Sequence, residues 1–185
     1  MKTWLIGCAH FGHWGIYKFT RDNGERLRPY ADNPEDGDAY LMQRWQETIA
    51  PDDKVYVMGD VCISKKSLQL LEGLNGRLTL IKGNHDRFKL RDYLPYFDDI
   101  LAEKEVAGCI LSHRPIHPGS LPRHCFGNIH AHTHDRFVMM ETAHGSVRDP
   151  RYFNTCVEVC DFRPVLLQTA TNELARLNPK PPEKD

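Results

Sequence analysis

Histidines stand at positions 130, 132 and 134, an alternation with chemical meaning. In an extended segment residues i, i+2 and i+4 share a face, so the three rings project together unless the backbone turns. Histidine is the commonest metal-ligating side chain, and rings gathered in this way suit a metal. The plainer alternative is a polar loop or an exposed strand edge. Other donor types recur upstream, at Cys8 and His10, Asp60, Asn84-His85-Asp86 and His113. Any function must account for this set.

The elements that deliver these residues can be read from apolar runs that end in polar ones. Residues 3–7 form a short apolar run closing on a glycine, which predicts a buried strand feeding Cys8-Ala9-His10-Phe11-Gly12-His13. Residues 18–37 turn polar, with Asn23-Gly24, Asn33-Pro34 and Asp36-Gly37 as turn signals, and predict a long loop, a candidate lid. Asp38 is the expected N-cap of a helix to about Ile49, since Leu41, Met42, Trp45 and Ile49 recur at helical spacing. Strands follow at 54–58, running into Gly59-Asp60, and at 77–81, running into Gly83-Asn84-His85-Asp86, with a short helix over 65–73 between them. This alternation predicts a largely parallel sheet, with its site outside the carboxyl ends of the strands. A helical piece near 88–94 leads to strands near 101–106, 109–112, 126–130, 153–159 and 164–168, a second sheet. Cys156, Glu158 and Cys160 are expected on one face of a strand, the thiols as packing residues.

In chain order the strand-end motifs are Cys8-x-His10, Gly59-Asp60, Gly83-Asn84-His85-Asp86, His113 and Ala131-His132-Thr133-His134. This series resembles the calcineurin-like metallophosphoesterases, whose motifs run D-x-H, G-D, G-N-H-[D/E], a lone H and G-H-x-H. Within them it is most similar to the small bacterial and phage phosphoesterases with an H-F-G-H opening, here His10-Phe11-Gly12-His13. The resemblance spans roughly residues 3–168 and implies an α/β fold, a four-layer α/β/β/α sandwich of two mixed sheets flanked by helices. It also implies hydrolysis of a phosphoester, phosphodiester before monoester, by a hydroxide held between two divalent metal ions (Mn, Zn, Fe or Ni). Position 8, His10, Asp60 and His134 would hold one ion, and Asp60, Asn84, His113 and His132 the other, with Asp60 bridging. The chemistry is consistent, because a carboxylate can bind two cations at once and an asparagine oxygen adds a ligand without charge. His85, outside the ligand set, is the implied general acid, a role for which imidazole is suited near neutral pH.

Two positions depart from the family pattern. Cys8 replaces an aspartate, so either a thiolate serves as a softer metal ligand or the first site is weakened. Ala131 replaces the usual glycine, and His130 lies one step before the register, a supporting residue more than a ligand. His13 either faces substrate or is structural. Arg114 and Arg136, beside ligand histidines, are candidates for substrate contact. Arg21, Arg26 and Arg28 could grip a phosphate, against the commoner reading of solvated loop charges.

Bulk properties exclude several classes. Among 185 residues, 24 basic and 25 acidic ones leave a net charge of −1, with no global field to attract nucleic acid or an anionic membrane. A nucleic-acid substrate is therefore possible but not favoured, and a small phosphoester is the expected partner. No stretch approaches the ~18 apolar residues of a membrane span, and a cytoplasmic protein is expected. The length suits one domain over residues 1–177, and the Pro- and Lys-rich residues 178–185 are expected to be disordered. Six cysteines in a chain of this size read as reduced core residues. Against the enzyme stands one alternative, a catalytically silent binding module that keeps the fold. Cys8 favours that alternative, and the presence of His85, Asn84 and His132 opposes it.

Overall fold

The computed structural model describes residues 1–180. β1 (Thr3–Ile6) leads through a long loop to α1 (Pro34–Thr48), then β2 (Lys54–Val57) and, after a 3-10 helix at Lys65–Gly73, β3 (Arg77–Ile81). Next come α2 (Leu90–Tyr93), β4 (Asp99–Leu101), β5 (Glu103–Val106), β6 (Cys109–Ser112) and β7 (Gly127–His130). The chain closes with β8 (Met139–Thr142), β9 (Gly145–Arg148), β10 (Tyr152–Asn154), β11 (Val165–Leu166) and α3 (Leu167–Leu177).

These strands make two mixed sheets and a hairpin. The first sheet runs β11-β1-β2-β3-β4, the second β10-β7-β6-β5, and β8 pairs with β9 in a two-stranded hairpin. β1 to β4 are mutually parallel, with β11 antiparallel on the edge. In the second sheet β10, β7 and β6 are parallel, and β5 is antiparallel to β6. The architecture is α/β, two mixed sheets accompanied by helices.

Side-chain alternation assigns each strand residue to one of two cores. Trp4, Ile6, Val55, Val57, Leu78 and Leu80 face one way and pack with Leu41, Trp45 and Ile49 of α1 and Leu68 and Leu71 of the 3-10 helix. Leu5 and Ile81 face the other way and, with Met58 just past β2, meet Leu111 and Ile129 of the second sheet and Leu167, Ala170 and Leu174 of α3. Parallel strands buried on both faces read as continuous apolar runs, which is why these strands were legible.

Several local expectations change. α1 starts four residues before Asp38, because Asn33 accepts the Asp36 N–H at 2.9 Å and Pro34 fits the first helical turn. The expected strand at 101–106 is split into β4 and β5, which belong to different sheets. The strand expected to 159 stops at Asn154, and Val157–Val159 is a 3-10 turn, so Cys156, Glu158 and Cys160 do not share a strand face. The β8–β9 hairpin carries none of the Asn-Gly or Asp-Gly signals of tight turns, its two-residue turn being Ala143-His144. Asn178 caps α3, its side chain donating to the Leu174 and Pro150 carbonyls at 3.1 and 2.9 Å. Residues 181–185 of the expected disordered tail lie outside the described residues. All six cysteines are free thiols, five of them buried and Cys160 partly so.

Candidate metal centre

The donors meet because the sheet ladder continues into the loops. Beyond β1 and β2, Cys8 N–H donates to the Gly59 carbonyl and His10 N–H to the Asp60 carbonyl, both at 3.0 Å. Asp86, fully buried, accepts from Asp60 N–H (2.8 Å), Gly83 N–H (2.7 Å) and Val61 N–H (3.0 Å), and so ties the ends of β2 and β3 together. The second sheet joins across Gly7, whose N–H donates to the Thr155 carbonyl at 3.0 Å, while Ala131 N–H donates to the His113 carbonyl at 2.9 Å. Asn154 holds the last turn through its side-chain amide, donating to the carbonyls of His134 and Arg136 and to Thr133 Oγ1.

Close approach explains two glycines. A side chain on Gly59 would meet His113 Nδ1 at 2.5 Å and the Gly83 backbone at 2.7 Å, and one on Gly83 would collide with the Asp60 carboxylate. Gly83→Ala is therefore expected to cost about 1–3 kcal/mol, as overpacking does, and to displace Asp60. A thermal melt combined with metal analysis checks this, and unchanged metal content would refute the Asp60 part.

The backbone is strained where the donors sit. Cys8 (φ 56°), His10 (52°), Asp60 (54°), His132 (72°) and His134 (52°) all occupy the left-handed region. Each such residue costs on the order of 1–3 kcal/mol, a strain that clusters at functional sites in proteins generally. These turns also separate the three alternating histidines. His130 stays in β7, 1% exposed, its Nδ1–H donating to the Ala131 carbonyl at 2.7 Å with Tyr152 against its ring. Burial pushes its pKa down to about 4, so it is a neutral core residue, turned away from the group formed by His132 and His134.

Around the centre, the rings of His10 and His134 stack with centroids 5.2 Å apart, and those of His113 and His132 meet edge-on at 5.1 Å. The donor atoms of Cys8, His10 and His134 lie within 4.8 Å of one another, as do those of Cys8, Asp60 and His113. Cys8 Sγ, fully buried, accepts the His132 N–H at 3.2 Å and stands between the two groups. Cys156, its buried neighbour, has a thiol pushed well up by burial and by Cys8.

Several polar atoms here lack the partners that burial normally demands. His10 is 3% exposed, and neither ring nitrogen has a hydrogen-bond partner. Burial, then the charge of Arg28, lowers its pKa to about 3, leaving a neutral ring with a free lone pair. His113 Nδ1–H donates to the Met58 carbonyl at 2.8 Å, and its Nε2 faces Asn84 Oδ1 (3.0 Å) and Asp60 Oδ2 (3.2 Å). Only a proton or a cation among these three atoms can hold them together. Burial would raise the Asp60 carboxyl, but His113 and the His85 N–H outweigh it and hold it at about 2, ionised. Imidazoles, a carboxylate, an amide oxygen and a thiol are a donor set that fits divalent metal.

The remaining sequence candidates fall in different places. The exposed His85 ring lies 5.6 Å from that of His10, and its backbone N–H donates to Asp60 Oδ1 at 2.7 Å. His13 caps the 3-10 helix Trp14–Tyr17, its Nδ1 accepting the Ile16 N–H at 3.0 Å, with its ring 5.7 Å from His10. Burial lowers its pKa, with a smaller contribution from Arg28 in the same direction. Arg114 is exposed in a groove it shares with Asn84 and His113. Arg136 lies in a separate groove with Arg21, paired with Asp22 at 3.2 Å.

The loop arginines are not free cations. Arg26 pairs with Asp32 at 2.7 Å, and Arg21 donates to the Glu158 carbonyl at 3.2 Å. Arg28 is fully buried, donating to the carbonyls of Cys8 (2.6 Å) and Ala9 (2.7 Å) and through both Nε and Nη2 to Glu158 Oε1. Burial works against the Arg28 charge, and Glu158 more than offsets it. For Glu158 burial would raise the carboxyl, but Arg28 and then His134 hold it at about 2. Sequence reasoning missed this pair, since 130 residues separate its members. Asp86 was visible inside Gly83-Asn84-His85-Asp86, though without a role. Asp38, expected as a cap, instead accepts the Gly12 N–H at 2.8 Å beneath the His10–His13 loop.

No family model matches the chain. It is 30% identical over 175 residues to the uncharacterized protein MJ1445 of Methanocaldococcus jannaschii, covering 90% of this chain and 87% of that one. It is also 30% identical over 90 residues to the gene 66 protein of Mycobacterium phage L5, 46% of this chain and 40% of that protein. In three dimensions it is similar to AQ665, a protein of unknown function from Aquifex aeolicus, with a TM-score of 0.61 and 22% identity over 91% of this chain and 96% of that one. That likeness extends the fold across nearly the whole chain.

Proposed function

Since the chain belongs to the family of MJ1445, whose name states no activity, we propose a function from the site itself: a metal-dependent phosphoester hydrolase of the calcineurin-like kind, acting on a small phosphodiester in preference to a monoester. The observation that carries this reading is His10, buried with neither ring nitrogen partnered, converging with Asp60, Asn84, His113, His134 and Cys8. The motif order around these donors supports phosphoester chemistry over other uses of a metal. Two mixed sheets that meet across one core, with α1 on the other face of the first sheet and α3 against strands of both, support the finer four-layer arrangement.

Cys8, His10, Asp60 and His134 would hold one divalent ion, and Asp60, Asn84, His113 and His132 a second. When bound, such ions supply Lewis acidity that activates water and offsets charge on a phosphoryl group. The protein's own part is to disfavour protonation of His10 and His132 by burial, to keep Asp60 ionised and to exclude solvent from His10. His85, exposed and outside the donor groups, would give a proton to the leaving-group oxygen. Arg114, in the groove with Asn84 and His113, would bind the phosphoryl oxygens. With a net charge of −1 the chain has no general attraction for nucleic acid, which favours a small substrate.

Metal analysis of protein dialysed against manganese or zinc is expected to approach two equivalents per chain, together with hydrolysis of small phosphodiesters. A metal-free protein after loading would reject the proposal. The buried thiol of Cys8 favours a second reading, a silent binding module with a decayed first position. The variant Cys8→Asp separates the two. A working thiolate predicts retained activity with a shift from zinc or iron towards manganese, the harder cation. A decayed site predicts a rise of tenfold or more, about 1.4 kcal/mol in the barrier.

A further inference from the structure

The stretch from the Trp14–Tyr17 helix to α1 has a small core of its own, Ile16, Tyr17, Leu27 and Ala31 with Tyr30, and it inserts one fully buried guanidinium beneath the donors. Arg28 caps the carbonyls of Cys8 and Ala9, within the strained stretch that carries Cys8 and His10. The same guanidinium holds Glu158 Oε1, which lies 3.2 Å from His134 Nδ1. That approach lacks the alignment of a hydrogen bond, and His134 Nδ1 and Glu158 Oε2 are both buried without a partner. Arg28 thus links the two chain segments, 130 residues apart, that bring Cys8 and His10 to one side of the first ion position and His134 to the other.

We propose that Arg28 and Glu158 form a positioning unit for the first metal position, an inference that rests on the metal-centre reading above. With an ion bound, a small turn of the His134 ring would give its Nδ1–H to Glu158 and leave the Nε2 lone pair as the ligating atom, while Arg28 fixes both the carboxylate and the Cys8–His10 backbone. A ligating histidine generally gives its second N–H to a carboxylate or carbonyl, and loss of that partner costs about 10–100-fold in metal affinity. Neither residue is expected to touch substrate.

Cobalt(II) titration of the full chain, followed by visible absorption and calorimetry, tests this. Wild type is expected to bind in two steps. Glu158→Gln is expected to weaken one step by about 10–100-fold and to alter its absorption band, while the step assigned to Asp60, Asn84, His113 and His132 stays within a few-fold. Because Glu158→Gln leaves Arg28 with an uncompensated charge, the double variant Arg28→Met with Glu158→Leu serves as the second arm. It removes both charges and the carboxylate, and the same selective loss is expected in a folded protein. Two unchanged steps in a folded variant would overturn the positioning role and leave the metal centre standing. Equal weakening of both steps, or failure of both variants to fold, would overturn it in favour of a structural ion pair. Absence of any cobalt binding by wild type would remove the metal-centre reading and this inference with it.

Discussion

Replacing His85 by alanine is expected to lower turnover of an unactivated phosphodiester by roughly 10²–10⁴, while metal content and melting temperature stay near wild type. The size follows from the proposed role, since a positioned proton donor supplies about that factor when the leaving group is poor. The selectivity follows from geometry. It is the backbone N–H of His85, kept by alanine, that holds Asp60 Oδ1 at 2.7 Å. The ring itself is exposed, 5.6 Å from that of His10 and outside the donor groups. Single-turnover rates with an alkyl and a nitrophenyl diester separate the roles, because a nitrophenolate leaves without a proton. Loss confined to the alkyl ester is the expected outcome; equal rates for wild type and variant on the alkyl ester would reject the assignment, and loss of metal would make His85 a ligand.

The second large effect is on stability. Arg28→Ala is expected to cost about 3–5 kcal/mol, because removing one member of a buried ion pair strands the other. Both side chains of the pair are fully buried, and Glu158 Oε1 receives two of the Arg28 donors. The variant also strands the carbonyls of Cys8 and Ala9. In a chain of 185 residues the melting temperature should fall by roughly 6–20 °C, against a total stability of about 5–15 kcal/mol for typical domains. The reading of Arg28 as a phosphate-gripping loop residue predicts the opposite signature, an unchanged melt and a raised KM. Lysine is a poor substitute, since it cannot present the fork that serves two carbonyls and a carboxylate together. Arg28→Lys is accordingly expected to recover only part of the loss.

Which donors exist, and that they sit at strand ends, was determined by the sequence. Three apolar runs closing on Gly7, Gly59 and Gly83 demand strands buried on both faces, and the polar residues that follow must then gather at one end of a parallel sheet. Turn chemistry was equally local, although Asn33-Pro34 proved to be a helix start and displaced Asp38 from the cap. What tertiary structure alone decided is which way rings and charges point. His130, His132 and His134 alternate in sequence, yet left-handed backbone at His132 and His134 sends only the latter two to the centre and leaves His130 in the core beside Tyr152. Left-handed conformations at histidine carry no sequence signal, because local preference opposes them and the surrounding ladder enforces them. The pairing of Arg28 with Glu158 was hidden for a related reason. An ion pair between residues 130 positions apart has no periodicity to read. It arises only when β10 ends at Asn154 and the turn past Cys156, whose backbone lies beside Gly7, swings Glu158 beneath His134.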